Sequence, residues 1–278
     1  MKLGKIWAVY FSGTGTTRRT VERIAGGIAS RLNLPAESVD FSRPAVRQET
    51  LGFGEKDLVV FGTPVYAGRV PNVLLPFLRE KIVGGGALAV PVVLFGNRNY
   101  DDALIELRNI LAADGMHPIA AGAFVGEHSF SRVLGADRPN AEDEALMDEF
   151  AARVAALAAG LDSAPVKSGA VRGQEPLRPY YTPRDRSGNP INILKVKPKT
   201  DLSRCGGCGL CADLCPMGSI DPADVSAVRG ICIKCCACVK GCPTGAKFFD
   251  DAGYLYHQHE LEAQYARPAE SEVFYIQL

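Results

Sequence analysis

The chain has 278 residues, 47 % of them hydrophobic, enough for one large domain or two smaller ones with packed cores. Lys plus Arg and Asp plus Glu each number 31, a balance that gives no general attraction for nucleic acid. No apolar run reaches the ~18 residues of a membrane span, and the start, Met1-Lys2-Leu3-Gly4-Lys5, does not resemble a signal peptide, so a cytoplasmic protein is expected.

Ile6 to Phe11 reads as a buried strand. A loop and a helix follow, with Val21, Ile24, Ala25, Ile28 and Leu32 on one face. Val39–Phe41 predicts a second strand, Asp57–Gly62 a third, and a helix is expected near 72–82. Ala87–Phe95 predicts a fourth strand, in which Pro91 calls for a bulge or a later start. Asp101–Ala113 is helical and stops at Gly115. Ile119–Val125 is a fifth strand, and Asn140 caps a last helix with Leu146, Phe150, Val154, Leu157 and Leu161 facing the core. Strands alternating with helices imply a parallel sheet covered on both faces.

Such sheets bind ligands beyond the C-terminal ends of their strands. The first loop there, Ser12-Gly13-Thr14-Gly15-Thr16-Thr17, opens a helix and offers N–H groups, hydroxyls and the helix dipole to a phosphate monoester. It has neither the Gly-Lys-Ser/Thr ending of a triphosphate loop nor the third glycine of a dinucleotide fingerprint, because residue 18 is arginine. A glycine-rich turn without a ligand is the alternative. The second loop is Thr63-Pro64-Val65-Tyr66-Ala67-Gly68-Arg69. The third runs Gly96-Asn97-Arg98-Asn99-Tyr100-Asp101-Asp102. Each carries a tyrosine, so a flat ring could lie between them, and the three loops together suggest FMN. Arg69 and Arg98, if beside that ring, would favour its anionic reduced form.

All nine cysteines fall between Cys205 and Cys242, unlike a disulfide scaffold. Cys205, Cys208, Cys211 and Cys215 precede Pro216; Cys232, Cys235, Cys238 and Cys242 precede Pro243. Both runs read C-x2-C-x2-C-x3-C-P and lie 27 positions apart, an internal duplication. Three cysteines of each run can face one cubane, while the fourth reaches the other cluster, as in two-cluster ferredoxins. The expected sets are Cys205, Cys208, Cys211 and Cys242 for one [4Fe–4S] cluster, and Cys232, Cys235, Cys238 and Cys215 for the other. Gly206, Gly207 and Gly209 let the backbone approach the first cluster. Zinc sites, the alternative, usually pair two CxxC motifs across a longer gap. Cys236 fits neither run: it is either a small buried hydrophobe or a redox-active thiol.

Tyr10-Phe11-Ser12-Gly13-Thr14-Gly15, Gly62-Thr63-Pro64-Val65-Tyr66, the loop from Gly96 to Asp102, Gly126-Glu127-His128-Ser129-Phe130 and the two cysteine runs carry a resemblance. Residues 1–162 resemble a flavodoxin-like domain and residues 200–250 a bacterial two-cluster ferredoxin. The whole chain is similar to the fused flavodoxin–ferredoxin proteins called ferrodoxins, with threonine at Thr16 where that family usually has asparagine. The resemblance implies a doubly wound parallel sheet of five strands in the order 2-1-3-4-5 plus a small α+β unit. It implies that Ser12 to Thr17 hold the FMN phosphate, and that Pro64 to Gly68 and Asn97 to Tyr100 flank the isoalloxazine. His128 is either a neighbour of the flavin or a structural residue.

Residues 163–199 read as a Pro/Gly-containing basic linker and 251–278 as an acidic tail. From 165 to 200 there are 8 Lys/Arg against 2 Asp/Glu; from 250 to 278, 1 Arg against 6 Asp/Glu. These segments are expected to help dock the two halves, or the basic one to receive an acidic redox partner. The leading expectation is an electron carrier relaying between two clusters, FMN and an external redox protein; association into homo-oligomers is left open. The rivals are an FMN-dependent reductase of a small substrate fed by the clusters, and an FMN-free redox-sensing or docking module.

Overall fold

The computed structural model describes residues 2–165 and 168–276. Val166 and Lys167 of the expected linker, and Gln277 and Leu278 of the expected tail, lie outside the described residues. The first half alternates strand and helix: β1 (Lys5–Tyr10), α1 (Thr16–Leu32), β2 (Ala36–Asp40), β3 (Asp57–Pro64), α2 (Leu75–Glu80), β4 (Leu88–Phe95), α3 (Ala103–Ala113), β5 (Ala120–Val125) and α4 (Ala141–Ala159). These five strands run parallel in the order β2-β1-β3-β4-β5, the flavodoxin-like order.

Side chains alternate across the sheet, so each long strand feeds two cores. Ile6, Leu58, Val60 and Val90 pack with Val21, Ile24 and Ile28 of α1 and Phe150 and Val154 of α4. Val9, Val59, Phe61 and Val93 pack on the opposite face with Leu78 of α2 and Leu104 and Leu107 of α3. α1 and α4 meet closely at Gly27, where a Cβ would stand 2.9 Å from Cβ of Ala151. Asn140 caps α4 as expected, accepting from the N–H groups of Glu142 and Asp143 while Asp143 accepts from Asn140.

Pro91 is accommodated differently from the expectation. β4 neither bulges nor starts late, and Pro91 sits mid-strand opposite Phe61. The irregularity is in the neighbour instead. Leu88 and Ala89 pair with His117 and Pro118, whereas Val92 pairs with Gly122, so the partner carries one extra residue beside Pro91. The ladder is therefore interrupted where proline has no N–H to give.

The cysteine unit shows its duplication as structure. α5 (Leu210–Asp213) and α6 (Ala237–Lys240) are separated by the same 27 positions as the cysteine runs. Lys199–Thr200 pairs antiparallel with Lys247–Phe248, and Ile220 bridges Val228.

Residues 252–276 form ordered structure rather than a tail. Asp251 caps α7 (Ala252–Gln264) through Tyr254 N–H at 2.9 Å. The chain then returns to the first half as β6 (Glu272–Tyr275), antiparallel to β5 with Glu272 opposite Ala123. An uncovered β5 would leave a row of unpaired N–H and C=O groups, and β6 satisfies them. Basic linker and acidic segment do meet: Arg172 pairs with Glu272, and Arg186 with Glu260 at 2.9 Å. No helix of the described residues is long and apolar enough to cross a membrane.

Truncation after Tyr265 should expose the β5 edge and remove Val273, Phe274 and Tyr275 from the two cores. We expect a loss of at least about 3 kcal/mol in denaturant unfolding; an unchanged midpoint would show that β6 contributes nothing to the sheet.

Candidate redox site between the sheet and the cysteine unit

The loop from Ser12 to Thr17 joins β1 to α1. Ser12 is held at both ends: its N–H donates to Ser42 Oγ at 2.7 Å, and its own Oγ accepts from Arg18 N–H at 3.2 Å. Gly15 caps α1 at φ +88°, a conformation that suits glycine. The first turn of α1 has no acidic residue and no side-chain cap. Among the described residues, the N–H groups of Thr14, Gly15, Thr16 and Thr17 have no protein acceptor. The 17-residue helix thus presents its positive end and unused donors. At the end of β3, Thr63 is fully buried and its Oγ1 has no partner. These features fit an anionic, phosphate-like group at the loop.

The second loop folds as a tight hairpin. Tyr66 and Arg69 exchange backbone hydrogen bonds, with Ala67 at φ +51° and Gly68 at φ +77°. Burial, and next the charges of Cys235, Cys236 and Cys232, push the Tyr66 phenol pKa well above the ordinary value. Pro64 and Val65 complete the approach to this hairpin, and both are half-buried.

The third loop is tied elsewhere. Asn97 is buried; its amide donates to the carbonyls of Tyr265 (2.6 Å) and Arg267 (3.0 Å) and accepts from Ala269 N–H (2.9 Å). Tyr100 points into the core, with its hydroxyl 2.7 Å from Glu272 of β6. Asn99 accepts from Asp101 N–H. Arg98 pairs with Asp101 and lies over Tyr181, its guanidinium carbon 4.6 Å from the ring centroid. Arg69 makes two 2.7 Å bonds to the buried carboxylate of Glu106 and lies over Tyr180. Both arginines therefore have their charge neutralised locally, Arg69 by Glu106 and Arg98 by Asp101. A linker strap completes the closure: Tyr180 Oη donates to Val70 O and Tyr181 N–H to Ala67 O. Gly96 is pressed by His128; a Cβ there would stand 2.5 Å from Cδ2 of that ring.

The cysteines gather around two cavities. One, of about 110 Å³, is lined by Cys205, Cys208, Cys211 and Cys242 together with Gly206 and Gly209. The other, of about 20 Å³, is lined by Cys215, Cys232, Cys235 and Cys238, with Cys236 beside them. All nine thiols are unpaired. Backbone donors point at the fourth cysteine of each run: Ser219 N–H reaches Cys215 Sγ at 3.3 Å, and Ala246 N–H reaches Cys242 Sγ at 3.2 Å. Among the described residues, no three His, Cys, Asp or Glu side chains close on a point in the way a single metal ion requires. Two sets of four thiols with N–H···S donors match the donor chemistry of a cubane.

The unit differs between its halves. Gly207 and Gly209, at φ +70° and +73°, correspond to Lys234 and Cys236, at φ +56° and +59°. Cys236 caps α6, is 3 % exposed, and its Sγ lies 3.4 Å from Tyr254 Oη.

The sheet and the cysteine unit touch at the first loop. A Cβ on Gly13 would stand 3.0 Å from Cys235 Cβ and 3.6 Å from its Sγ. Beside that contact, a cavity of about 320 Å³ is walled by Ser12 to Gly15 on one side and Leu214, Ala237, Lys240 and Gly241 on the other. Its volume is near the lower end for ligand pockets. Arg18, Arg43, Asp40 and Asp213 also line it. Lys240 fastens the two walls: its ammonium pairs with Glu127 and donates to the carbonyls of His128 (2.6 Å) and Ser131 (2.8 Å). Arg47 does the same from the sheet, donating to Pro216 O at 2.6 Å. An aromatic seam follows, in which Phe130 packs on Tyr254 at 4.8 Å and edge-on to His128 at 5.3 Å. Neither Lys240 nor Arg47 stands out in the sequence, because their partners are more than 100 positions away.

Lys240→Met would remove the ammonium from Glu127 and from the His128 and Ser131 carbonyls, of which the His128 carbonyl keeps the Ser131 N–H. We expect docking to weaken by about 2 kcal/mol, read as faster proteolysis within residues 163–199; unchanged cleavage would contradict the fastening role. Burial, with the charge of Lys240 next, pulls the His128 pKa down to about 4, and burial does the same for His257. A depressed folded pKa means that the unfolded chain binds the extra proton. Stability is therefore full above pH ~6.5 and is lost as pH falls toward 4. His128→Asn should flatten the pH dependence of unfolding in that window; an unaltered slope would refute burial of a neutral ring.

The 4Fe-4S binding domain family matches residues 198–221, which hold the first cysteine run. A comparison with curated proteins returned no match. Among solved structures, the chain is similar to a flavodoxin from the domain Archaea at 17 % identity, covering 55 % of this chain and 96 % of that one with a TM-score of 0.41. It is also similar to the Streptococcus pneumonia TIGR4 flavodoxin, at 18 % identity, 55 % and 98 % coverage and a TM-score of 0.39. A third is rubredoxin oxygen:oxidoreductase from Desulfovibrio gigas, at 16 % identity, 58 % and 38 % coverage and a TM-score of 0.38. The fold assignment rests on the strand order itself. One chain joins a flavodoxin-like sheet to a 4Fe-4S binding domain.

Proposed function

We propose that this is an electron-transfer protein carrying two [4Fe–4S] clusters and FMN, which exchanges electrons with an external redox protein. The observation that carries the reading is the contact of Gly13, in the phosphate-type loop, with Cys235, in a four-thiol cavity. Bound clusters would supply one-electron chemistry and FMN one- or two-electron chemistry. The chain's own contribution is position. Ser12, Gly13, Thr14, Gly15, Thr16 and Thr17 would hold the phosphate with backbone donors and hydroxyls. Thr63, Pro64, Val65, Tyr66, Ala67 and Gly68 would bound the ring on the side of the cysteine unit.

The two cysteine sets have different roles. Cys208 is exposed, and Cys205, Cys211 and Cys242 are half-buried, so their cavity faces an external partner. Cys235 and Cys238 are buried, and Cys235 meets the loop. The Cys205 set is then the outer port and the Cys232 set the inner station. Holding both on one chain replaces a diffusive encounter by a fixed one.

The FMN-free docking module remains the second reading, favoured by one observation: Asn97 and Tyr100 are committed to the C-terminal segment and the core. Anaerobic purification with quantification of iron, sulfide and flavin separates the two. About eight irons and one FMN per chain are expected; about eight irons without flavin, even after FMN is added, would leave the docking module. The crossed ligand sets have their own test. Cys242→Ala should abolish the same spectroscopic cluster as Cys208→Ala; loss of the cluster that Cys235→Ala removes would refute the crossing.

A further inference from the structure

Two lysines of the cysteine unit are buried without a counter-ion. Lys234 is 9 % exposed and Lys247 is 2 % exposed. Lysine is almost never buried to this degree unless an anion compensates it. Lys234 Nζ donates only to carbonyls, those of Leu194 at 2.9 Å and Cys232 at 3.0 Å. Lys247 Nζ donates to Val225 O. Neither makes an ion pair among the described residues, whereas Lys240, in the same unit, has Glu127.

Their placement follows the cavities. Lys247 lines the cavity of Cys205, Cys208, Cys211 and Cys242. Lys234 lies between Cys232 and Cys235 in sequence and is fixed to the Cys232 carbonyl. Lys247 thus stands in the wall of one cavity, and Lys234, outside the lining of the other, is tied to the backbone of one of its four cysteines. Both cations come from the second repeat; the first repeat has Gly207 and Ile220 at the corresponding positions. Lys234 also holds a left-handed backbone, φ +56°, where its counterpart is glycine. For a residue with a Cβ that conformation is strained, and strain of this kind collects at functional positions.

We infer that Lys234 and Lys247 are the counter-charges of the two clusters, and that each raises the reduction potential of the cluster beside it. Four thiolates leave a cubane with net negative charge, which grows by one on reduction, and net charge near the cluster is among the determinants of its potential. A fixed ammonium in a low-dielectric site is attracted more strongly to the reduced cluster than to the oxidised one. This rests on the two-cluster reading of the cysteine runs.

The test is an EPR-monitored redox titration of the full-length protein with iron and sulfide counted in the same samples. Lys234→Met should lower the midpoint of the Cys232-set cluster, and Lys247→Met that of the Cys205-set cluster. Each should make reduction about tenfold less favourable, which is 59 mV for one electron. Lys234→Arg, which keeps the charge, should stay near the wild-type value. Should Met at 234 prevent cluster assembly, Lys234→Gln and the independent Lys247→Met decide the matter in the same way. Full clusters with unmoved midpoints would overturn the inference and leave both lysines a structural role. Wild-type protein without iron and sulfide would overturn the cluster reading, and this inference with it.

Discussion

The arrangement depends on the ammonium of Lys240. It leaves the second short helix of the cysteine unit and is captured by Glu127 and by the carbonyls of His128 and Ser131, just beyond the end of β5. That fixes α6 over the C-terminal ends of the sheet strands, where doubly wound sheets keep their ligand sites. With α6 held there, Cys235 comes against Gly13, and the second cysteine run acts electrostatically on Tyr66. A partly desolvated ion pair with two further carbonyl acceptors is specific in direction as well as favourable. It brings the loop and the cysteine motif together into the arrangement on which the proposed joint site rests.

Around that fastening, charges close the remaining surfaces of the first half. Arg69 satisfies the buried carboxylate of Glu106, and Arg178 that of Asp102. Burial pushes the Asp102 carboxyl up; Arg178 and the N–H groups of Arg178 and Gln174 outweigh it and hold the carboxyl below its ordinary range. Arg178 brings the linker across the tips of the second and third loops, where Tyr180 and Tyr181 dock. The C-terminal segment acts from the other side through Asn97 and Glu272. The linker and the C-terminal segment are therefore parts of the site's frame. The three loops that a flavodoxin-like sheet offers to a ligand are each braced by residues from outside residues 1–162.

What could be read from the sequence was what is local. Strands such as Asp57–Pro64 and helices such as α1 carry their period in consecutive residues, and the cysteine runs carry their spacing outright. The crossed ligand sets come from the resemblance to two-cluster ferredoxins and stay a proposal; the two cavities are lined by the same groups of cysteines. Long-range choices were not legible. Tyr100 and Tyr66 look equivalent as loop tyrosines, yet one is drawn into the core by Glu272 of a strand 172 positions away, and the other feels the charges of the cysteines. Glu272–Tyr275 is too short to announce itself as a strand and exists because β5 needs an edge partner. Pro91 argued for a fault in its own strand, while the fault lies in the neighbour. The positive charge of Arg69 could be seen, but Glu106, 37 positions away, could not be matched to it, whereas Asp101 stands in the same loop as Arg98.

The central claim is that electrons pass within one chain between the cysteine unit and the flavodoxin-like half. The most direct measurement is rapid one-electron reduction of the anaerobic, FMN-loaded protein by a substoichiometric flash-generated reductant, followed at cluster and flavin wavelengths. The account predicts loss of the cluster signal and gain of the flavin signal at a rate independent of protein concentration. A rate that rises in proportion to concentration, or clusters that stay reduced beside oxidised flavin, would contradict it.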